Sequence, residues 1–181
     1  LIDEFIKNLI QNSNLSLTDN AFFKMGPYGT INFPFVTMGA INSLDLFGLD
    51  ELIIFSYYWK NKDKYKIAVD IGANIGLHSI MMAKCGWSVT SYEPDPIHFN
   101  ILKNNLALNN ISNVILKDKA VSDIPGTLEF IRVIGNTTGS HLAGSNSSPY
   151  GDLDKFPVEV VSFKNVISNA DFVKVDAAGH D

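Results

Sequence analysis

From Lys66 onward the chain alternates between short apolar runs and stretches whose apolar residues recur at helical spacing. I-A-V-D at 67–70 has the length and composition of a buried strand, and 75–85, with Ile75, Ile80, Met81 and Ala83, follows a helical period. V-T-S-Y-E at 89–93 predicts a second strand. Residues 96–109, opening on Pro96, predict a second helix, and V-I-L-K-D-K-A-V at 114–121 a third strand. Strand, helix, strand, helix, strand implies a parallel sheet with helices packed on its faces. G-T-L-E-F-I-R-V-I at 126–134 and P-V-E-V-V-S-F at 157–163 then predict an inserted antiparallel pair around a polar loop at 135–152, and D-F-V-K-V-D at 171–176 a fourth parallel strand.

The upstream residues read differently. Ile2, Phe5, Ile6, Leu9 and Ile10 predict a short amphipathic helix, whereas Gly26, Pro27, Gly29 and Pro34 break 24–35 into turns with short extended pieces, fitting a hairpin or lid. Residues 44–59 carry a start signal at Asp50 and an apolar helical run ending near Trp59. The expected organisation is an N-terminal extension or cap over 1–62. A Rossmann-like α/β domain follows over 63–181, doubly wound around a mostly parallel sheet and truncated after its fourth strand.

Composition narrows the function. With 46% hydrophobic and 18% charged residues the chain can bury a core. A net charge of −5, scattered lysines and one arginine, Arg132, disfavour binding to nucleic acid, which depends on clustered cations. Cys85 is the sole cysteine, so neither an intrachain disulfide nor a cysteine-held zinc is expected, and a reducing, cytoplasmic setting fits. No apolar run reaches the ~20 residues that cross a bilayer, so no membrane partner is expected.

The chemistry concentrates at strand ends. Asp70-Ile71-Gly72-Ala73-Asn74-Ile75-Gly76 joins the first strand to the first helix, with glycines that let the backbone turn and a ligand approach. Glu93 ends the second strand, where an acid in a doubly wound fold accepts hydrogen bonds from ribose hydroxyls. The Gly72-x-Asn74-x-Gly76 spacing departs from G-x-G-x-x-G, so a dinucleotide such as NAD fits less well than a ribose-bearing, phosphate-free cofactor.

V-D-I-G-A-N-I-G-L-H-S at 69–79, Y-E-P-D-P at 92–96, L-K-N-N-L-A-L-N at 102–109, A-V-S-D at 120–123 with Gly126, and V-K-V-D-A-A-G-H-D at 173–181 together resemble the successive blocks of FkbM-family methyltransferases that use S-adenosylmethionine (SAM). The resemblance covers about 67–181. It implies a class I methyltransferase fold with Asp70, Gly72, Asn74 and Gly76 at the methionine end of SAM, Glu93 at the ribose, and Ala73 and Pro94 also among the cofactor-binding residues. Asp118, Lys119 and Ala120 would lie beside the adenine, and His78 on the helix facing the cofactor. It further implies methylation of a hydroxyl on a small molecule or sugar. The family's last block is similar to K-x-D-x-E-G-x-E, and here Ala178 stands at the first acidic position. A module that binds SAM without catalysis is therefore the alternative.

Methyl transfer from a sulfonium needs an aligned acceptor and a base for its proton. Asp176, His180 and His141 are the candidates, and Asp176, His180 and Asp181 could instead hold a divalent cation such as Mg²⁺.

Overall fold

The computed structural model describes residues 22–145 and 151–177. The helix expected over 2–10 lies outside them, as do Ala178, Gly179, His180 and Asp181. The chain enters through a hairpin, β1 (Phe22–Lys24) and β2 (Thr30–Asn32), closed around a 3-10 turn at Gly26–Tyr28. Helix α1 (Leu49–Lys60) follows, one residue ahead of the expected start at Asp50.

Strands β3 (Ile67–Ile71), β4 (Ser88–Tyr92), β5 (Val114–Lys117) and β10 (Phe172–Val175), with helices α2 (Leu77–Lys84) between β3 and β4 and α3 (Pro96–Leu108) between β4 and β5, build the parallel sheet. Its order is β10-β3-β4-β5, every pair parallel. This is the Rossmann-like α/β fold expected from the sequence. Ala68, Val69, Asp70 and Ile71 are buried in succession, because both faces of the central strand are covered and alternation has no solvent side to serve. The strand order reverses direction between β3 and β10. A crevice opens there beyond the carboxyl ends of the strands, where such sheets take ligands.

Two expectations are corrected. The strand foreseen over 114–121 is two strands: the run breaks at the polar Asp118 and Lys119, and Ala120–Ser122 forms β6, which leaves the first sheet. Together with β7 (Gly126–Val133), β8 (His141–Leu142) and β9 (Leu153–Ser162) it makes a second sheet of order β6-β9-β7-β8. β7 and β9 pair antiparallel as expected, from Gly126 opposite Val160 to Val133 opposite Leu153, but β6 runs parallel to β9. Phe163, expected to end a strand, instead opens the short helix α4 (Phe163–Ile167).

Among the described residues, those before residue 63 build no core of their own. Met25, Tyr28, Phe33, Phe55 and Tyr58 are buried in one cluster with Ile80, Met81, Trp87 and Leu102. Each such side chain taken out of water stabilises the fold by about 1.5–3 kcal/mol. Asn109 at the end of α3 fastens the entry hairpin by accepting from the Asn32 N–H at 2.8 Å and donating to the Asn32 carbonyl at 2.7 Å. The second sheet keeps a smaller core of its own around Ala120, Phe130, Leu142, Val158 and Val160.

Candidate cofactor site

The loop after β3 turns back under the end of β4. Gly72 has φ +72°, and a Cβ there would stand 2.1 Å from the Asp176 carbonyl oxygen, so only glycine lets the ends of β3 and β10 approach this closely. Four of the loop's N–H groups are consumed by protein acceptors. Those of Gly72 and Ala73 donate to the Tyr92 carbonyl at 3.1 and 3.0 Å, that of Asn74 to Glu93 Oε2 at 2.8 Å, and that of Gly76 to the Ala73 carbonyl at 2.9 Å.

Glu93 is buried at the floor of the crevice, with its Oε1 accepting from the Asp95 N–H at 2.9 Å. Burial pushes its carboxyl up to about 7, against the pull of the two backbone donors. Each carboxylate oxygen retains a second lone pair for a ligand hydroxyl. The side-chain Oδ1 of Asn74 is buried without a hydrogen-bond partner, an acceptor that a ligand N–H or O–H would satisfy.

These groups open into a cavity of about 700 Å³. Gly72, Asn74, Glu93, Pro94, Lys119, Ala120 and Asp176, all foreseen in the sequence, line it. Glu51 of α1 and Asp95 and His98 of α3 also line it, as do Phe130, Thr137, Ser140 and Leu142 of the second sheet or its loop, and Phe163 of α4.

Several foreseen residues are placed elsewhere. Asp70 is fully buried: its Oδ2 accepts from Ser79 Oγ at 2.6 Å and its Oδ1 pairs with Lys174 Nζ at 3.1 Å, so it braces the loop instead of facing the crevice. Lys174 also donates to the Gly72 carbonyl at 3.0 Å, linking β10 to the loop. His78 lies off the cavity wall, between Tyr58 Oη at 3.0 Å on Nδ1 and Glu51 Oε2 at 2.9 Å on Nε2. Ala73 is buried and Asp118 exposed, neither lining the cavity. His141 is buried beside Leu142; because neighbouring side chains on a strand point to opposite faces, Leu142 lines the cavity and His141 does not. Its Nδ1 meets the Gly139 carbonyl at 3.0 Å. Among the described residues, no group of three or more His, Cys, Asp or Glu is arranged to hold a metal ion, and no helix is long and apolar enough to cross a membrane.

The sequence reading missed how the second sheet is fastened to this site. Arg132 of β7 donates from two nitrogens to Asp95, each at 2.7 Å, while Asp95 caps α3 by accepting from the Ile97 N–H at 2.8 Å. Burial opposes ionisation of Asp95, but the Arg132 guanidinium and the cap hold its carboxyl below the usual range. His98 Nε2 meets Thr137 Oγ1 at 2.9 Å, and burial lowers the proton affinity of that imidazole. Asp before Pro96 is a legible helix-start signal. Nothing in the local pattern names Arg132 as its partner.

A curated relative shares 38% identity with the chain over 76 residues, the protein "Methyltransferase sdnD" of Sordaria araneosa. The relative is a methyltransferase. The match covers 39% of this chain, which spans under a third, 29%, of the relative's length. No family model matches the chain. Among solved structures, a SAM-dependent methyltransferase from Agrobacterium tumefaciens superposes with a TM-score of 0.44 at 11% identity, covering 59% of this chain and 34% of that one. P. horikoshii TYW2 in complex with MeSAdo gives a TM-score of 0.43 at 21% identity, covering 60% and 39%. The human METTL16 catalytic domain in complex with an RNA hairpin of the MAT2A 3′UTR gives 0.39 at 18% identity, covering 52% and 34%.

Proposed function

We propose that this chain is the cofactor-binding part of a SAM-dependent methyltransferase of the FkbM type, one that methylates a hydroxyl oxygen on a small molecule or sugar. The observation that carries the reading is the buried Glu93 carboxyl beside the glycine loop, with the buried Asn74 Oδ1 left without a partner. A pyrophosphate needs N–H donors, and here the donors of Gly72, Ala73, Asn74 and Gly76 are bound to protein while two acceptors, Glu93 and Asn74 Oδ1, stand beside them. That arrangement repels phosphate and accepts ribose hydroxyls, which argues for a nucleoside over NAD. The match to a methyltransferase supports methyl transfer as the activity.

When bound, SAM supplies an activated methyl group on a sulfonium. The residues would divide the work by position. Glu93 would take the ribose hydroxyls, Asn74 Oδ1 a further ligand donor, and Pro94, Lys119 and Ala120 would flank the adenine. The second sheet, through Phe130 and Leu142, would wall off water. Asp176, at the end of β10 and on the cavity wall, would accept the acceptor hydroxyl's proton, with Lys174 Nζ 3.8 Å from its Oδ2.

Calorimetry with S-adenosylhomocysteine tests the cofactor. One site is expected, weakened at least tenfold by Glu93→Ala as two hydroxyl bonds to a charged group are lost. Tighter binding of NAD than of S-adenosylhomocysteine would reject the reading. Transfer of labelled methyl from SAM to a panel of sugars and small hydroxylated molecules, run beside an RNA hairpin, tests the acceptor class. Methylation of the RNA alone would reject the hydroxyl assignment.

A further inference from the structure

We propose that Glu51, a residue of the covering helix α1, is the anchor for the α-ammonium of the cofactor's methionine tail. The inference rests on the SAM reading above and adds to it a residue outside the strand-and-loop motifs.

The aminoacyl tail of SAM is a zwitterion, and its ammonium must find an anion when it leaves water. The acid nearest the glycine loop in sequence, Asp70, is not free to serve: it is fully buried and committed to Ser79 and Lys174. The Gly72 carbonyl, another acceptor at this end, is occupied by Lys174. Asp176 shares that same lysine and is 76% exposed at its side chain, so its position is loosely set. Glu51 differs on both counts. It lines the cavity with Gly72, Asn74 and Asp176, and its side chain is only 20% exposed.

Its orientation is built in. His78, in the first turn of α2 just beyond the glycine loop, reaches Glu51 Oε2 at 2.9 Å through Nε2 and Tyr58 at 3.0 Å through Nδ1. Burial, with Asp70 and Glu51 adding to it, pushes the Tyr58 phenol up, so it stays protonated beside Nδ1. Glu51 Oε2 nevertheless accepts no hydrogen bond among the described residues: it is a buried acceptor without a donor. Glu51 is thereby held against His78 with an acceptor left for a ligand donor. A fixed carboxylate at the methionine end of the crevice is what a ligand ammonium requires.

Binding of two ligands separates this role from a general contribution to folding. S-adenosylhomocysteine carries the aminoacyl tail and 5′-methylthioadenosine lacks it, while both keep the nucleoside and the thioether. Glu51→Gln is expected to weaken S-adenosylhomocysteine about tenfold to a hundredfold, as for loss of one charge-assisted bond, and to leave 5′-methylthioadenosine within about twofold. The unsubstituted chain provides a second measurement: S-adenosylhomocysteine without its α-amino group should bind it as weakly as the variant binds the intact ligand. Equal weakening of both nucleosides, or full affinity for the deaminated ligand, would overturn the assignment while leaving the SAM reading in place. Failure of the unsubstituted chain to bind either nucleoside would overturn both.

Discussion

The two sheets meet the same cavity by different means. The parallel sheet presents a loop fixed from within: Gly72 pressed against Asp176, Asp70 held by Ser79 and Lys174, and a large core of Trp87, Phe55, Ile80 and Met81 behind it. The second sheet has a core of five buried residues and reaches the rest of the protein through polar clasps, Arg132 on Asp95, Thr137 on His98, and Asn136 Oδ1 on the Ala40 N–H at 3.2 Å. Tight packing does not tolerate an added atom, whereas a clasp tolerates one and fails when a charge is removed. The floor of the site should therefore be sensitive to volume and its outer wall to electrostatics.

The most severe test is Gly72→Ala. The left-handed φ and the approach of the Asp176 carbonyl act together, and a loss of at least about 3 kcal/mol, or failure to fold, is expected in chemical denaturation. Gly135 in the second region also has positive φ, but nothing lies within 4 Å of a Cβ built there. Gly135→Ala should cost only the backbone strain, about 1–2 kcal/mol. Equal losses would erase the contrast.

Next comes Arg132→Ala. It leaves Asp95, 1% exposed, with a charge answered only by the helix cap, and removing one partner of a buried pair costs about 3–5 kcal/mol. The loss should stay local. Hydrogen exchange is expected to accelerate in β7 and β9 and to change little in β3 and β4; uniform acceleration would mean that the two sheets unfold as one. Arg132→Lys should rescue only part, since an ammonium cannot reproduce the two-nitrogen contact.

The third test is electrostatic but sits in the floor. The Glu93 carboxyl rises from 4.5 to about 7 on folding, so between those values the folded chain holds a proton that the unfolded chain has released. Stability from this group is fully present below about 4.5, falls as pH rises towards 7, and is constant above it; the difference is about 3 kcal/mol. Ribose hydroxyls donate to the ionised form, so affinity for S-adenosylhomocysteine should move the opposite way, rising from pH 5.5 and levelling above about 7. Affinity that is flat with pH would show that Glu93 does not receive the ligand's hydroxyls.

The same contrast explains what was legible in the sequence. β3, α2, β4 and α3 are continuous segments, each an unbroken apolar run or a single period, and the loop and Glu93 fall at their ends, so local pattern located them. β6 and β8 have three and two residues, too few to show a period, and they exist only because β9 and β7 pair with them. Which of several neighbours faces the cavity was also hidden. Asp70, His78 and His141 sit in the right segments, but tertiary partners turn them inward, while Glu51 sat in a helix that sequence read only as cover. Acids in the first turn of a helix have an ordinary structural use, which masks one that also faces the cavity.

The smallest effect on folding is expected at Asp176, although it lies on the floor. Its backbone is essential to the sheet, with the N–H donating to the Ile71 carbonyl at 3.0 Å and the carbonyl facing Gly72. Its side chain is another matter. At 76% exposure, with Lys174 no closer than 3.8 Å and already engaged by Asp70 and Gly72, the carboxylate contributes little to stability. Asp176→Asn keeps the backbone and the side-chain shape, so denaturation should shift by no more than about 0.5 kcal/mol and S-adenosylhomocysteine affinity should hold. What it removes is the proton acceptor at the end of β10, and methyl transfer should fall by about a hundredfold or more. A variant that melts far earlier yet methylates normally once folded would make Asp176 a structural residue and move the reacting centre elsewhere in the cavity.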